Sequence, residues 1–173
     1  MAENKRTVTF KGSPLTLLGP EIKVGSKAPD FQVLGGDLSK VTLQSFKGKT
    51  KLISVVPSLD TPVCELQTKR FNQEAGQLPA DIEVITISMD LPFAQGRFCA
   101  TAGIKKIKVL SDHRDASFGL AYGVLIKEFR LLSRSIFIIG PDDTVQYVEY
   151  VKEITEHPNY DAALNALKAG ARK

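Results

Sequence analysis

The sequence predicts an α/β fold built on a sheet that contains both parallel and antiparallel strands. Three observations predict it. Two apolar, Ile/Val-rich runs, "TKLISVVP" (50–57) and "IEVITISMD" (82–90), are each followed by a stretch that reads as helix. Two more runs, "SRSIFIIG" (133–140) and "TVQYVEYV" (144–151), are separated by Pro141-Asp142-Asp143, a turn sequence. The chain then closes in "NYDAALNALKAG" (159–170), an amphipathic helix pattern with Gly170 as its stop.

Taken in order, "TVTFKGSPLTLLG" (7–19) reads as two short strands around Gly12-Ser13-Pro14, hence a hairpin. Residues 27–49 mix short apolar pieces with Gly, Asp, Ser and Pro and read as extended structure with turns. Strand 50–57 leads to a helix over 62–76, strand 82–90 to a helix over 92–102 with Pro92 near its first turn, and "KVLSD" (108–112) to a short helix near 115–121. Strand–helix–strand–helix implies parallel pairing through right-handed crossovers. The β-α-β then β-β-α order describes a thioredoxin-like core, to which the N-terminal β-hairpin and the segment 90–125 are additions. At 173 residues the chain reads as one domain, 1–173, long enough to bury a substantial core.

Composition narrows the function classes. The formal charge is 23 − 19 = +4. That is mild, and the lysine clusters at 47–51 and 104–108 are short and lack interleaved aromatics, so no nucleic-acid partner is expected. No apolar run approaches the roughly 20 residues of a membrane span. The N-terminus shows no leader pattern, so a cytoplasmic location is expected. In a reducing compartment a purely structural disulfide is unexpected, and two cysteines are too few for a disulfide scaffold.

The chemistry concentrates in "PSLDTPVCELQTKRF" (57–71). Pro62 suits the first helical position and Thr61 the N-cap, which puts Cys64 at N3. Unpaired backbone N–H groups and the positive end of the helix dipole there favour a thiolate, the reactive form of cysteine. The competing reading is a small buried hydrophobe, and local sequence leaves both open. Cys99 follows 99 − 64 = 35 positions later on the next helix, so no C-x-x-C pair exists. A distant thiol suits a scheme in which Cys64 is oxidised to a sulfenic acid that Cys99 then attacks; core packing is the alternative. Arg134, just before the most apolar strand, either ends that strand in water or points its guanidinium into a site.

Other motifs fail on inspection. "GKT" at 48–50 lacks the P-loop glycine, since Leu43 stands at that position. Two cysteines and two histidines without paired spacing do not make a zinc site. A cysteine-protease base would have to be His113 or His157, both of which read as surface residues.

Pro57, Thr61 and Cys64 form P-x-x-x-T-x-x-C, which resembles the active-site signature of the peroxiredoxins, and "PSLDTPVC" is similar to the version in their thiol peroxidase branch. "RFC" around Cys99, "SDHRDASFGLAYGVLIKE" (111–128), "LLSRSIFII" (131–139), "VTFKGSPLTLLG" and "VGSKAPDF" also resemble this branch, so the likeness spans nearly the whole chain. Gly140 departs from it, standing where relatives often carry an acidic residue. The resemblance implies a thioredoxin-like fold with peroxiredoxin-type insertions. It implies that Cys64 is the peroxidatic and Cys99 the resolving cysteine of an intramolecular disulfide. It further implies that the Thr61 hydroxyl bonds the thiolate and the peroxide, that Arg134 holds both, and that Pro57 shields the sulfur from water. Hydrogen peroxide and organic hydroperoxides would be the substrates, thioredoxin the electron donor and a homodimer the assembly, with no metal or organic cofactor. Two rivals keep the fold but change the role: a redox sensor that signals through Cys64 oxidation, and an inert thioredoxin-like module in which Pro57, Thr61 and Arg134 coincide by chance.

Overall fold

The computed structural model describes residues 6–171. The expectation about a leader falls partly on residues 1–5, outside the described residues. Among the described residues no helix is long and apolar enough to cross a membrane.

A seven-stranded sheet organises the molecule. Its strands are β3 (Gln32–Leu34), β4 (Lys40–Thr42), β5 (Thr50–Val55), β6 (Ile82–Ser88), β7 (Lys108–Ser111), β10 (Ser135–Ile139) and β11 (Val145–Tyr150), in the order β11-β10-β5-β6-β7-β3-β4. The pairs β5–β6 and β6–β7 are parallel; β10 is antiparallel to both β5 and β11. Helix α1 (Pro62–Ala75) joins β5 to β6, α2 (Pro92–Ala102) joins β6 to β7, a short α3 (Ser117–Ala121) follows β7, and α4 (Tyr160–Ala171) follows β11. This is the expected parallel β-α-β unit followed by an antiparallel β-β-α unit.

Side-chain alternation splits the core between the two faces of the sheet. Leu52, Val84, Ile136 and Ile138 pack against Phe71 of α1 and Ala163, Leu164 and Leu167 of α4. Their strand neighbours Ile53, Ile85, Phe137 and Ile139 point the other way, toward Phe31, Phe46, Phe118 and Tyr122. Both faces are covered, which is why these strands read as continuous apolar runs and not as alternating ones.

Four details correct the sequence reading. The hairpin of β1 (Arg6–Phe10) and β2 (Ser13–Leu18) turns at Lys11-Gly12, both with positive φ (49° and 82°), and Pro14 lies inside β2. Proline fits because its partner Thr9 turns its N–H the other way, to the carbonyl of Lys152 (2.7 Å). The hairpin is not an isolated addition: with β8 (Leu125–Ile126) and β9 (Leu131–Leu132) it forms a second sheet, ordered β1-β2-β8-β9. Residues Leu43–Phe46, read as extended, form a 3-10 turn. Gly170 does not stop α4, which continues through it to Ala171.

Candidate active site

Helix α1 begins as its sequence dictates. Thr61 is extended (φ −105°, ψ 147°), Pro62 is the first helical residue, and the first intrahelical bond runs from the Glu65 N–H to the Thr61 carbonyl (2.9 Å). Cys64 is therefore at N3, in the turn where backbone N–H groups have no intrahelical acceptor. One expected detail differs. The Thr61 hydroxyl does not cap the helix; it donates to the Ser58 carbonyl (3.0 Å). Its oxygen is thereby left as an acceptor.

Cys64 is fully buried, packed with Val56 and Leu59 and against the half-buried Phe98 of α2. Its charged neighbour is Arg134. It is 2 % exposed and lies immediately before β10, whose pairing with β5 places it beside the start of α1. Its Nη2 donates to Cys64 Sγ at 3.2 Å. Three of its other four N–H groups are engaged: Nε and Nη2 reach the Ile154 carbonyl (3.0 and 2.8 Å), and Nη1 reaches Gln67 Oε1 (2.8 Å). Gln67 is buried too, and its amide donates to Ser54 Oγ on β5 (2.7 Å). The guanidinium is thus fixed by α1 and by the loop after β11, and every one of these acceptors other than the sulfur is electrically neutral.

A cavity of about 450 Å³ opens over this arrangement. Pro57, Thr61 and Arg134 line it, together with the apolar side chains of Phe10, Val63, Phe129, Leu131 and Ile154. The structure thus gathers Pro57, Thr61, Cys64 and Arg134 at one place. Arg134 points into the site, which settles the alternative of a solvated strand end. Cys99 stands apart on α2 and is half-buried, and neither cysteine is in a disulfide. Burial pushes its thiol above the ordinary value. Between the helices lies a cleft of about 720 Å³, lined by Glu65 and Lys69 of α1 and by Phe93, Arg97 and Phe98 of α2.

Sequence reasoning missed several participants. Gln67 follows Cys64 by three positions, so its place on the same helix face was available from spacing. Tyr160 of α4 lies within the electrostatic reach of Arg134 and Cys64, and burial raises its hydroxyl's pKa. Of the histidines, His157 is exposed and bonded to Tyr160 (2.7 Å between Nδ1 and Oη), and His113 is half-buried.

The fold and the site together define an α/β protein of thioredoxin-like architecture with a buried cysteine at a helix N-terminus, held against an arginine. Comparison with known proteins identifies the class. Residues 23–164 match the family model described as Redoxin. The chain is 61% identical over 163 residues to the thiol peroxidase of Halalkalibacterium halodurans, covering 94% of this chain and 98% of that one. It is 56% identical over 162 residues to the thiol peroxidase of Bacillus subtilis, covering 94% and 96%. A crystal structure of a peroxiredoxin-like protein from Aquifex aeolicus superposes with a TM-score of 0.89 at 46% identity, covering 95% of this chain and 96% of that one. The chain belongs to the thiol peroxidase branch of the peroxiredoxins. It is accordingly a thiol-dependent peroxidase, an oxidoreductase of antioxidant function.

Proposed function

We propose that Cys64 is the peroxidatic cysteine, that Cys99 resolves it within the same chain, and that thioredoxin reduces the resulting disulfide. The observation that carries this reading is the 3.2 Å contact between Arg134 Nη2 and Cys64 Sγ in a buried setting. The Cys64 thiolate attacks one peroxide oxygen, the O–O bond breaks, and negative charge grows on the departing oxygen. Arg134 and the amides at the start of α1 are donors suited to that charge. The Thr61 oxygen, whose O–H already donates to the Ser58 carbonyl, accepts the peroxide O–H and aligns it with the sulfur. Pro57, buried at the cavity wall, keeps bulk water from the sulfur. Cys64 becomes a sulfenic acid, and the departing oxygen takes up the proton released when the thiol ionised and leaves as water or an alcohol.

The apolar lining of the cavity supports organic hydroperoxides as substrates beside hydrogen peroxide, since Phe10, Phe129 and Leu131 offer contact to an alkyl chain. Resolution requires motion. A disulfide brings Cα atoms within about 7 Å, and here the two helices flank an open cleft. The first turn of α1 must open, which predicts different conformations for the reduced and oxidised protein. A cytoplasmic homodimer is the assembly and location proposed, on family resemblance.

The test is to count free thiols and measure intact mass after one equivalent of peroxide is added to reduced protein. Loss of both thiols without added oxygen is the expected result. Cys64→Ser should abolish peroxide consumption, and Cys99→Ser should consume one equivalent and then stall with thioredoxin. Two intact thiols after peroxide would overturn the proposal.

A further inference from the structure

The lead-in to α2 and the loop before α1 meet at a single carboxylate. Asp90 directly precedes Leu91-Pro92, the N-cap and first residue of the helix that carries Cys99. Its Oδ1 accepts from Ser58 Oγ (2.7 Å). Its Oδ2 accepts from the Leu59 N–H (2.8 Å) and from Ser88 Oγ (2.7 Å). Its own backbone carbonyl accepts from Ser111 Oγ at the end of β7 (2.5 Å). The network continues on both sides. Gln95 of α2, buried, donates to Ser88 Oγ (3.0 Å) and to the Leu110 carbonyl (2.8 Å). The Ser58 carbonyl accepts from both the hydroxyl and the N–H of Thr61 (3.0 and 3.2 Å). The loop from Pro57 to Cys64 is thus hung on a side chain that belongs to the entrance of the Cys99 helix.

We propose that Asp90 is a positioning residue that latches the Cys64 loop in its closed, peroxide-reactive arrangement and so sets the rate at which Cys99 reaches Cys64. The inference rests on the peroxidase reading above. Three donors converge on two oxygens, and hydrogen bonds to an ionised acceptor are the strong ones. An amide of the same size offers one acceptor oxygen and cannot reproduce the set. Beside this node, Leu59 and Phe98 bound the cleft between the helices, so loss of the Ser58 and Leu59 bonds frees the loop toward open space.

The consequence is kinetic. In the resolving step the Cys99 thiolate attacks the sulfenic sulfur of Cys64. The S–S bond forms, the S–O bond breaks, and the hydroxide leaves as water with the proton that Cys99 gave up. That step draws on the open population, whereas reaction with peroxide draws on the closed one. While the open state stays minor, weakening the latch multiplies the first and barely lowers the second. A second peroxide molecule competes for the sulfenic acid and carries it to the sulfinic acid. Faster opening therefore also protects against over-oxidation.

The experiment is rapid-mixing kinetics of wild type, Asp90→Asn and Ser58→Ala with hydrogen peroxide. It follows sulfenic acid formation and disulfide formation separately, with sulfinic acid measured by mass. Asp90→Asn should accelerate disulfide formation about tenfold, the weight of one charge-assisted bond, while sulfenic acid formation changes by less than about threefold. Sulfinic acid at a fixed peroxide excess should fall in proportion. Ser58→Ala, which removes one donor and leaves the carboxylate, should move both readouts the same way by less. Disulfide formation that is unchanged or slower in both variants overturns the latch, as does equal slowing of both steps, the result of simple structural damage. The peroxidase reading fails separately, and takes the latch with it, if the wild type forms no sulfenic acid at all.

Discussion

Placing a carboxylate at position 67 should blunt the nucleophile without disturbing the fold. In Gln67→Glu the new group keeps the size and the partner geometry of the amide: Arg134 Nη1 lies 2.8 Å from Oε1, and Ser54 Oγ, 2.7 Å from the other terminal atom, turns from acceptor to donor. What changes is charge. The carboxylate and the sulfur then share one guanidinium, and two unit charges roughly 6 Å apart at an effective dielectric near 20 repel by about 3 kcal/mol. That corresponds to roughly a hundredfold in the rate of a step that needs an anionic sulfur. The assay is the rate of sulfenic acid formation at fixed pH in a Cys99→Ser background. The rate should fall about a hundredfold in Gln67→Glu and by much less in neutral Gln67→Met. A Gln67→Glu protein that reacts like wild type would refute the claim that the sulfur needs a guanidinium whose other partners are neutral.

Other outcomes follow from the buried titratable groups. Burial raises the Cys99 thiol above its ordinary value of 9.0. Because the thiolate is the attacking form, disulfide formation should accelerate by up to about tenfold per pH unit between roughly pH 7 and 9. A flat profile in rapid-mixing experiments would show that Cys99 ionisation does not limit resolution. Asp112, 2 % exposed and accepting the N–H groups of Phe118 and Gly119, is pushed by burial from 3.8 to about 6. The folded state then holds this proton more tightly than the unfolded state. Its contribution to stability is present below about pH 4 and is lost as pH rises to about 6, by up to about 3 kcal/mol. Urea unfolding across that range should show wild type losing stability relative to Asp112→Asn, and parallel curves would contradict it.

How much was legible depended on how local each cause is. β5, β6 and β10 announced themselves because both faces of the sheet are covered. Lys51, within that apolar run, gave no hint that it is fully buried against the Gly140 carbonyl and Asp143. Strands β8 and β9 contain two residues each and exist because β8 pairs with β2 of the hairpin and β9 pairs with β8, so no local pattern marks them. The helix start at Pro62 and the N3 position of Cys64 were readable from three residues. The direction of Arg134 was not, because the atoms that orient it come from Cys64, Gln67 and Ile154, brought together by sheet pairing. The Thr61 hydroxyl shows the same limit in miniature: residue type suggested a cap, and the neighbouring Ser58 carbonyl claimed the proton.

The charge balance at Arg134 suggests how oxidation itself drives the structural change. The guanidinium is buried, and its protein acceptors besides the sulfur are a backbone carbonyl and an amide oxygen. Among the acceptors bonded to it, the Cys64 sulfur is thus the one that can carry a charge. Removing one member of a buried ion pair costs about 3 to 5 kcal/mol, because the remaining charge stays desolvated. On the proposed roles of Cys64 and Cys99, oxidation to the neutral sulfenic acid would do that chemically, and the closed arrangement would lose stability at the moment when Cys99 needs access. The prediction concerns three proteins that cannot form a disulfide. In a Cys99→Ser background, amides of the first turns of α1 should exchange with solvent at least about tenfold faster in Cys64→Ala than with reduced Cys64. Cys64→Asp, which restores an anion beside Arg134, should recover much of that protection. Equal exchange in the Ala and Asp variants would mean that packing of Val56, Leu59 and Phe98, and not charge, holds the site closed.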